Sequence, residues 1–486
     1  MKRYLNYSQT LWIMSSVLIF MSFGFGLIYS SFSLLLIHQF HFSHELTFSL
    51  YNTYVSWFFT ASIFGGFLGG RLGHRECVWI GSVLLCSAYL CFCFESTLYL
   101  ACALMDVGMG LFFPNAMVVI GHARAPQQKQ SLTLGYILLY LSVNVGVFIG
   151  GIIFGSIGIQ HFAILFLIAG FCALVSGLIY TLAFPFISFL SNSQSALQSM
   201  TLGKYKNIDL KSCALLILMS FFAVLILEFI LKREALSNIL VIVLTVLTFG
   251  FLLFLGFFKN FGLESRERRK LNWFIVIILA TLIFWALYNL EQSLVLGFFD
   301  SLVNRDFLGF LIPSSFLGSF NALCDILVGI LFMTKMKKLN DFFSSQSRAF
   351  FAIFLMGLSY LVLALGTYLS ISQGEVPILW IFLAFIMMSI SEMMIGPLSN
   401  SLAIEYGPPV LQGFLIGCGQ LISGVAGSLS DYLAKIGTFD DHMATEYILK
   451  HLSRAFFIDS ILGVLVGLFL LVGCGIFKHY SKSSEN

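Results

Sequence analysis

The feature that most constrains this chain is the repetition of apolar runs, each about one bilayer long. Fourteen stretches qualify: 11–36, 51–70, 77–94, 99–121, 132–157, 161–186, 212–231, 237–258, 272–299, 307–333, 349–371, 377–403, 410–433 and 455–477. A helix needs about 20 apolar residues to cross a hydrocarbon core roughly 30 Å thick. Breaks between the runs fall at Gly, Pro, Ser and charged residues, the usual punctuation of loops. Charged residues are only 10% of the chain, against about 25% in a soluble domain. The expected fold is an all-α membrane protein with 14 spanning helices.

Lys and Arg set the orientation. If the N-terminus is cytoplasmic, 20 of the 26 basic residues fall on inside loops and six on outside loops. That asymmetry predicts both termini inside and an even number of spans. The first span is long and has no small-residue cleavage site after it, so it reads as retained. The net charge of +3 is small and forms no basic stripe, so nucleic acid is not an expected partner. The ten cysteines lie almost wholly within spans without a CxxC–His pattern, and read as apolar packing residues. His38, His41 and His44 read as a polar interfacial loop, and no metal or cofactor is expected. The absence of a GxxxxGK[ST] sequence argues against ATP-driven pumping. No GxSxG or HExxH constellation suggests an enzyme.

The spans group as six, two and six. Residues 1–187 form one candidate bundle and 271–486 another, the latter with a short cytoplasmic tail. Between them, 188–270 reads as a linker with an inserted two-helix hairpin. Its ends are the Ser-rich stretch 188–211 and the charge run "KNFGLESRERRK" (259–270). The halves echo each other: the fourth span carries Pro114 with Pro126 twelve residues on, and "MIGPLSNSLAIEYGP" carries Pro397 with Pro408 eleven on. Proline inside a spanning helix frees a carbonyl and bends the helix. Matched interruptions in two halves point to the central site of a transporter.

Several segments resemble one known family. "GFLGGRLGHR" (66–75) is similar to the GxLxDRxGR signature of the major facilitator superfamily, with Gly70 in place of its Asp. "GMGLFFPN" (108–115), "LYLSVNVG" (139–146), "SEMMIGPLSNS" (391–401) and the block 284–321 resemble motifs of its proton-dependent oligopeptide transporters (the POT or PTR family). The resemblance implies a major facilitator fold and alternating access between two six-helix bundles. It also implies import of di- or tripeptides with protons, and a monomer in a bacterial inner (plasma) membrane. In that family the first helix carries ExxERFxYYG, with acids in proton coupling and an arginine on the peptide carboxylate. Here "LIFMSFGFGL" (18–27) puts Leu18, Met21 and Ser22 in those places. The family lysine of the fourth helix is Phe113, and the glutamate of its seventh is Asn289.

One carboxylate stands out physically. Glu392 lies in the middle of an apolar run, where insertion scales place the cost of an acid at roughly 2.5–3.5 kcal/mol. A desolvated carboxylate can pair with an ammonium or exchange a proton, and the resemblance implies that Glu392 holds a peptide amino terminus. It can equally be a structural carboxyl bonded to a neighbouring helix. Asn144, Asn321 and Asn289 are amides that can bond a peptide backbone, or each other's helices. Trp285 and Tyr288 are expected to wall the site or to pack. Asp325 shares a helical face with Asn321 four residues before it, and with Glu291 is a candidate for proton coupling. Glu291 lies two residues past Asn289, about 200° round a helix, and is expected to face away from it. Asp106 and Glu228 read as less central.

These residues suggest a secondary transporter of small peptides or related amine-bearing solutes. A proton-independent uniporter or exchanger, or a non-transporting receptor or scaffold derived from a transporter, remains open on sequence. For topology, a reporter active only outside the cytoplasm is expected to be active when fused after Gly374 and silent after Lys338.

Overall fold

The computed structural model describes residues 6–42, 44–123, 129–157, 159–187, 210–257, 265–307, 309–314, 316–342, 344–407, 411–438 and 444–483. Helix α1 (Tyr7–His38) begins at a capping box. Asn6 Oδ1 accepts from Gln9 N at 2.8 Å, and Asn6 N donates to Gln9 Oε1 at 3.0 Å, so two orphan backbone donors of the first turn are satisfied. The second span is two helices, α2 (His44–Thr60) and α3 (Ser62–Leu72), meeting at Ala61. Gly73, at φ 118°, turns the chain directly into α4 (His74–Cys91), a backbone conformation a side chain would strain. Helices α5 (Leu98–His122), α6 (Lys129–Ile157) and α7 (Phe162–Ala183) complete the first six spans.

The inserted pair is α8 (Leu210–Leu231) and α9 (Glu234–Phe257). The second half comprises α10 (Ser265–Asn289), α11 (Leu294–Leu302), α12 (Phe316–Phe342), α13 (Ser345–Leu369), α14 (Ile378–Tyr406), α15 (Gln412–Gly437) and α16 (Thr445–Ser483). Among the described residues, twelve helical stretches are long and apolar enough to cross a membrane. The second and third spans complete the expected fourteen; α2–α3 is interrupted, and α4 opens on the charged pair Arg75 and Glu76. The linker residues expected at 188–209 and 258–264, and Pro126 and Pro408, lie outside the described residues.

Two sequence expectations change in detail. The span expected at 272–299 is broken: α10 stops at Asn289, a 3₁₀ turn covers Leu290–Gln292, and α11 resumes at Leu294. Pro114 and Pro397, in contrast, lie inside continuous helices, α5 and α14. A single missing N–H costs one backbone bond, and packing on both sides holds the helix through it.

The two halves meet in a crossed pattern. α2 and α3, the second span of the first half, pack against α15, the fifth of the second. α6, the fifth of the first half, packs against α12, the second of the second, and also against α14. Small residues let the backbones approach along the α3–α15 seam. A Cβ added at Gly417 would lie 2.6 Å from the Ser62 carbonyl oxygen, and one at Gly413 would lie 2.8 Å from that of Gly66.

The inserted hairpin straddles this seam. α8 packs on α4 and α5, while α9 packs on α10, α15 and α2. Trp57 Nε1 donates to Ser237 Oγ at 2.7 Å in a buried contact between α2 and α9. The hairpin's other face carries exposed Phe221, Phe229 and Val246, suited to acyl chains. Glu228 pairs with Lys232 at 2.7 Å near the end of α8, in keeping with a peripheral role.

A branched side chain at Gly417 has no room to relax, because its neighbours are backbone. Gly417→Val is expected to lower the melting temperature of the detergent-purified protein, an overpacking cost of about 1–3 kcal/mol. Gly473→Val, at a position with open space around it, is the matched control and should leave melting unchanged.

Candidate functional site

Between the bundles lies a cavity of about 150 Å³. α1, α2, α5 and α6 line it from the first half, and α10, α12, α14 and α15 from the second. Its wall is rich in aromatic rings: Phe25 stacks on Phe58 at 5.1 Å, and Trp285 meets Tyr288 edge-on at 5.5 Å. Among the described residues that line it, Glu392 is the one with a formal charge, and none is Lys, Arg or His.

Glu392 sits at the middle of α14 and is 2% exposed. Its Oε1 accepts a short hydrogen bond from the Tyr140 hydroxyl of α6. This bond joins the two halves of the molecule across the cavity. A glycine makes it possible: a Cβ at Gly396, one turn beyond Glu392, would stand 2.6 Å from the Tyr140 ring. Glu392 Oε2 has no close hydrogen-bond partner. The Asp325 carboxyl, Tyr288 hydroxyl and Asn321 amide surround the same carboxyl at looser range.

The three amides expected at the site all reach the cavity. Asn321 Nδ2 donates to the Tyr288 hydroxyl at 3.1 Å, and its Oδ1 accepts from Ser389 Oγ at 3.3 Å. Asn289 Nδ2 lies 3.5 Å from the Ser423 carbonyl of α15. Asn144 stands one turn from Tyr140 on α6, and its buried Nδ2 has no hydrogen-bond partner. Ser22 Oγ of α1 is likewise buried without a partner in the same wall.

Asp325 and Glu291 stand behind the wall rather than on it. Asp325 is fully buried, one turn from Asn321 on α12; neither of its carboxyl oxygens has a close hydrogen-bond partner, and Glu392 is near at looser range. Glu291 occupies the 3₁₀ turn that ends α10, is 1% exposed, and accepts from Gln292 Nε2 at 3.0 Å. Its charge reaches Glu392 and the hydroxyls of Tyr29 and Tyr51. Glu291 does not line the cavity, but the 200° argument does not account for this, because the helix it assumed stops at Asn289. Glu392 on the cavity wall thus has two further carboxyls behind it.

Sequence reading passed over several lining groups. Tyr140 lies in the quoted "LYLSVNVG", four residues before Asn144, and that helical spacing is the signal that would have found it. Gly396, Ser399 and Asn400 follow Glu392 by four, seven and eight residues and share its cavity face. Tyr29, Tyr51 and Tyr54 carry no local signal among so many aromatic residues. Leu18, Met21 and Ser22 of α1 are buried; Met21 and Ser22 line the cavity, as does Phe113.

Asp106 is buried in α5 with neither carboxyl oxygen bonded, and does not line the cavity. The motif asparagine of "FFPN" is structural: Asn115 Nδ2 donates to the Gly65 carbonyl at 2.8 Å, and Oδ1 meets His74 Nδ1 at 2.6 Å. The side chains of His38 and His44 lie outside the described residues.

Residues 14–430 match the family model described as Major Facilitator Superfamily. The chain belongs to the major facilitator superfamily. It is 24% identical over 434 residues to a di-/tripeptide transporter of Lactococcus lactis subsp. cremoris, covering 85% of this chain and 83% of that protein. It is 22% identical over 424 residues to dipeptide and tripeptide permease B of Xenorhabdus bovienii, covering 85% and 84%. Its fold matches a bacterial homologue of the human drug peptide transporters PepT1 and PepT2 with a TM-score of 0.72 at 16% identity, over 98% of this chain and 100% of that one. A second solved structure, from work on substrate recognition in proton-dependent oligopeptide transporters, matches with a TM-score of 0.74 at 16% identity, over 97% and 100%. Both curated relatives are named for di- and tripeptide transport, and the solved structures share the fold.

Removing one partner of a buried hydrogen bond leaves the other desolvated and unmet, at about 1–3 kcal/mol. Tyr140→Phe is expected to destabilise the protein by that order in thermal unfolding. Gly396→Ala, which drives the ring away, should reproduce the loss, and the two changes together should cost little more than either alone.

Proposed function

We propose that this protein is a secondary active transporter that imports di- or tripeptides, or related amine-bearing small solutes, by alternating access and coupled to protons. The observation that carries the reading is the Glu392 carboxyl at the meeting of the two halves, held by Tyr140 from the opposite bundle. The curated relatives named for di- and tripeptide transport support the substrate class.

A carboxylate in an aromatic, water-poor cavity is a strong partner for an ammonium. The aromatic faces around it add cation–π attraction. Arrival of an ammonium at Glu392 competes with the Tyr140 hydroxyl and with the proton that the Glu392–Asp325 pair can share. Binding is thereby tied both to the contact between bundles and to proton occupancy. Glu291, linked electrostatically to the same carboxyl, extends the coupling group. Asn144, Asn321 and Asn289 supply neutral hydrogen bonds to a peptide backbone, with Trp285 and Tyr288 as walls. The protein would work as a monomer in a bacterial inner membrane, both termini in the cytoplasm.

The test is uptake of a labelled dipeptide by proteoliposomes under an imposed inward proton gradient. Uptake should exceed that in gradient-free vesicles, and Glu392→Gln should lose at least about 90% of it, a tenfold effect equal to about 1.4 kcal/mol. Equal uptake with and without the gradient would rule out coupling and favour the uniporter or exchanger.

A further inference from the structure

The free hydrogen-bonding valences of the cavity are unevenly charged. At one end is the Glu392 carboxyl, with Oε2 lacking a close partner. One turn along α6 from Tyr140 is Asn144, a cavity-lining residue whose buried Nδ2 has no hydrogen-bond partner. The Ser22 hydroxyl, also buried and unpartnered, lies in that wall on α1. The four residues from Tyr140 to Asn144 rise about 6 Å along the helix axis, the span of one to two extended residues. A ligand that satisfies both ends therefore carries an ammonium and, one or two residues away, an acceptor for a neutral N–H or O–H.

The nature of that acceptor follows from charge. No Lys, Arg or His is among the described residues lining the cavity, and none of the 26 Lys and Arg stands in the middle of a lining helix. A carboxylate brought here would be desolvated with only neutral donors to meet it, and would face three buried protein carboxyls. An amide or ester carbonyl accepts from Asn144 and Ser22 without that penalty. It also leaves the ligand with one positive charge, matching the one lining carboxylate. Resting on the amine-transport reading above, we propose that the cavity selects amines whose far end is an uncharged carbonyl, such as C-terminally amidated or esterified peptides, over free zwitterionic peptides.

Binding to the purified full-length protein in detergent, measured by calorimetry at neutral pH, tests this with four probes. These are Ala-Phe, Ala-Phe amide, N-acetyl-Ala-Phe amide and 2-phenylethylamine. Ala-Phe amide is expected to bind at least about tenfold more tightly than Ala-Phe, because the free carboxylate would be desolvated without a cationic partner. The acetylated amide, lacking the ammonium, should not bind measurably. Ala-Phe binding as tightly as its amide, or more tightly, overturns the inference while leaving peptide transport standing. Failure of every amine probe to bind overturns both. Asn144→Ala adds an independent readout: it should weaken Ala-Phe amide about tenfold while leaving 2-phenylethylamine, which has no carbonyl, within about twofold. Equal weakening of both ligands would assign Asn144 to packing and overturn the carbonyl contact.

Discussion

Every feature of this molecule depends on the scarcity of water around its backbone. In hydrocarbon an unmet N–H or C=O costs several kcal/mol, so each span closes its own hydrogen bonds as a helix. Polar side chains face the same restriction. They collect where another helix can meet them, and the place with most partners is the space between the two bundles. Glu392, Asp325, Glu291, Asn321 and Asn144 are there because the lipid-facing surfaces could not hold them. A transporter needs its polar chemistry at that level, so folding and function make the same demand.

The seam between bundles has two physical characters. Along α3 and α15 it is backbone against backbone, with Gly66, Gly413 and Gly417 leaving no space for a side chain. Across the cavity it is the Tyr140–Glu392 hydrogen bond, made possible by Gly396. Weak dispersion contacts between small residues can slide or separate gradually. A buried hydrogen bond to a carboxyl is made or broken as a unit, so it is the natural point at which ligand and proton occupancy act on the relative position of the halves. The hairpin α8–α9 touches both halves and is anchored to α2 through Trp57 and Ser237. It therefore experiences any movement along the seam.

Leu18, Met21 and Ser22 of α1 bear more on what the cavity can hold than on how the helix folds. Leu18 and Met21 are buried among apolar neighbours with no difficulty. Met21 and Ser22 line the cavity and bring no positive charge to it. The remaining neutral donors, Asn144 Nδ2 and Ser22 Oγ, are unmet within the chain, and unmet buried donors are uncommon in a finished core. Both residues line the cavity, so a bound ligand is the reasonable partner.

Sequence alone determined the parts of this protein that depend on local chemistry. The number of spans follows from the length of apolar runs, and the hairpin from the two runs beyond six and six. Glu392 follows from the cost of an isolated acid, and Asn144 and Asn321 from amides placed in the middle of helices. Tertiary structure decided what depends on distance between segments. Tyr140 and Glu392 are 252 residues apart, and nothing local to either announces the other. Helical periodicity could not place Glu291, because the helix ends at Asn289 where packing, not propensity, favours a tight turn. Asn115 looked like part of a transport motif and proved to be a clamp between α5 and α3, since a buried amide takes whichever carbonyl the fold brings within reach. Pro397 marked the right helix without breaking it. Hydrophobic length and isolated charge are legible one residue at a time; pairing across a cavity requires the packing that brings two distant helices together.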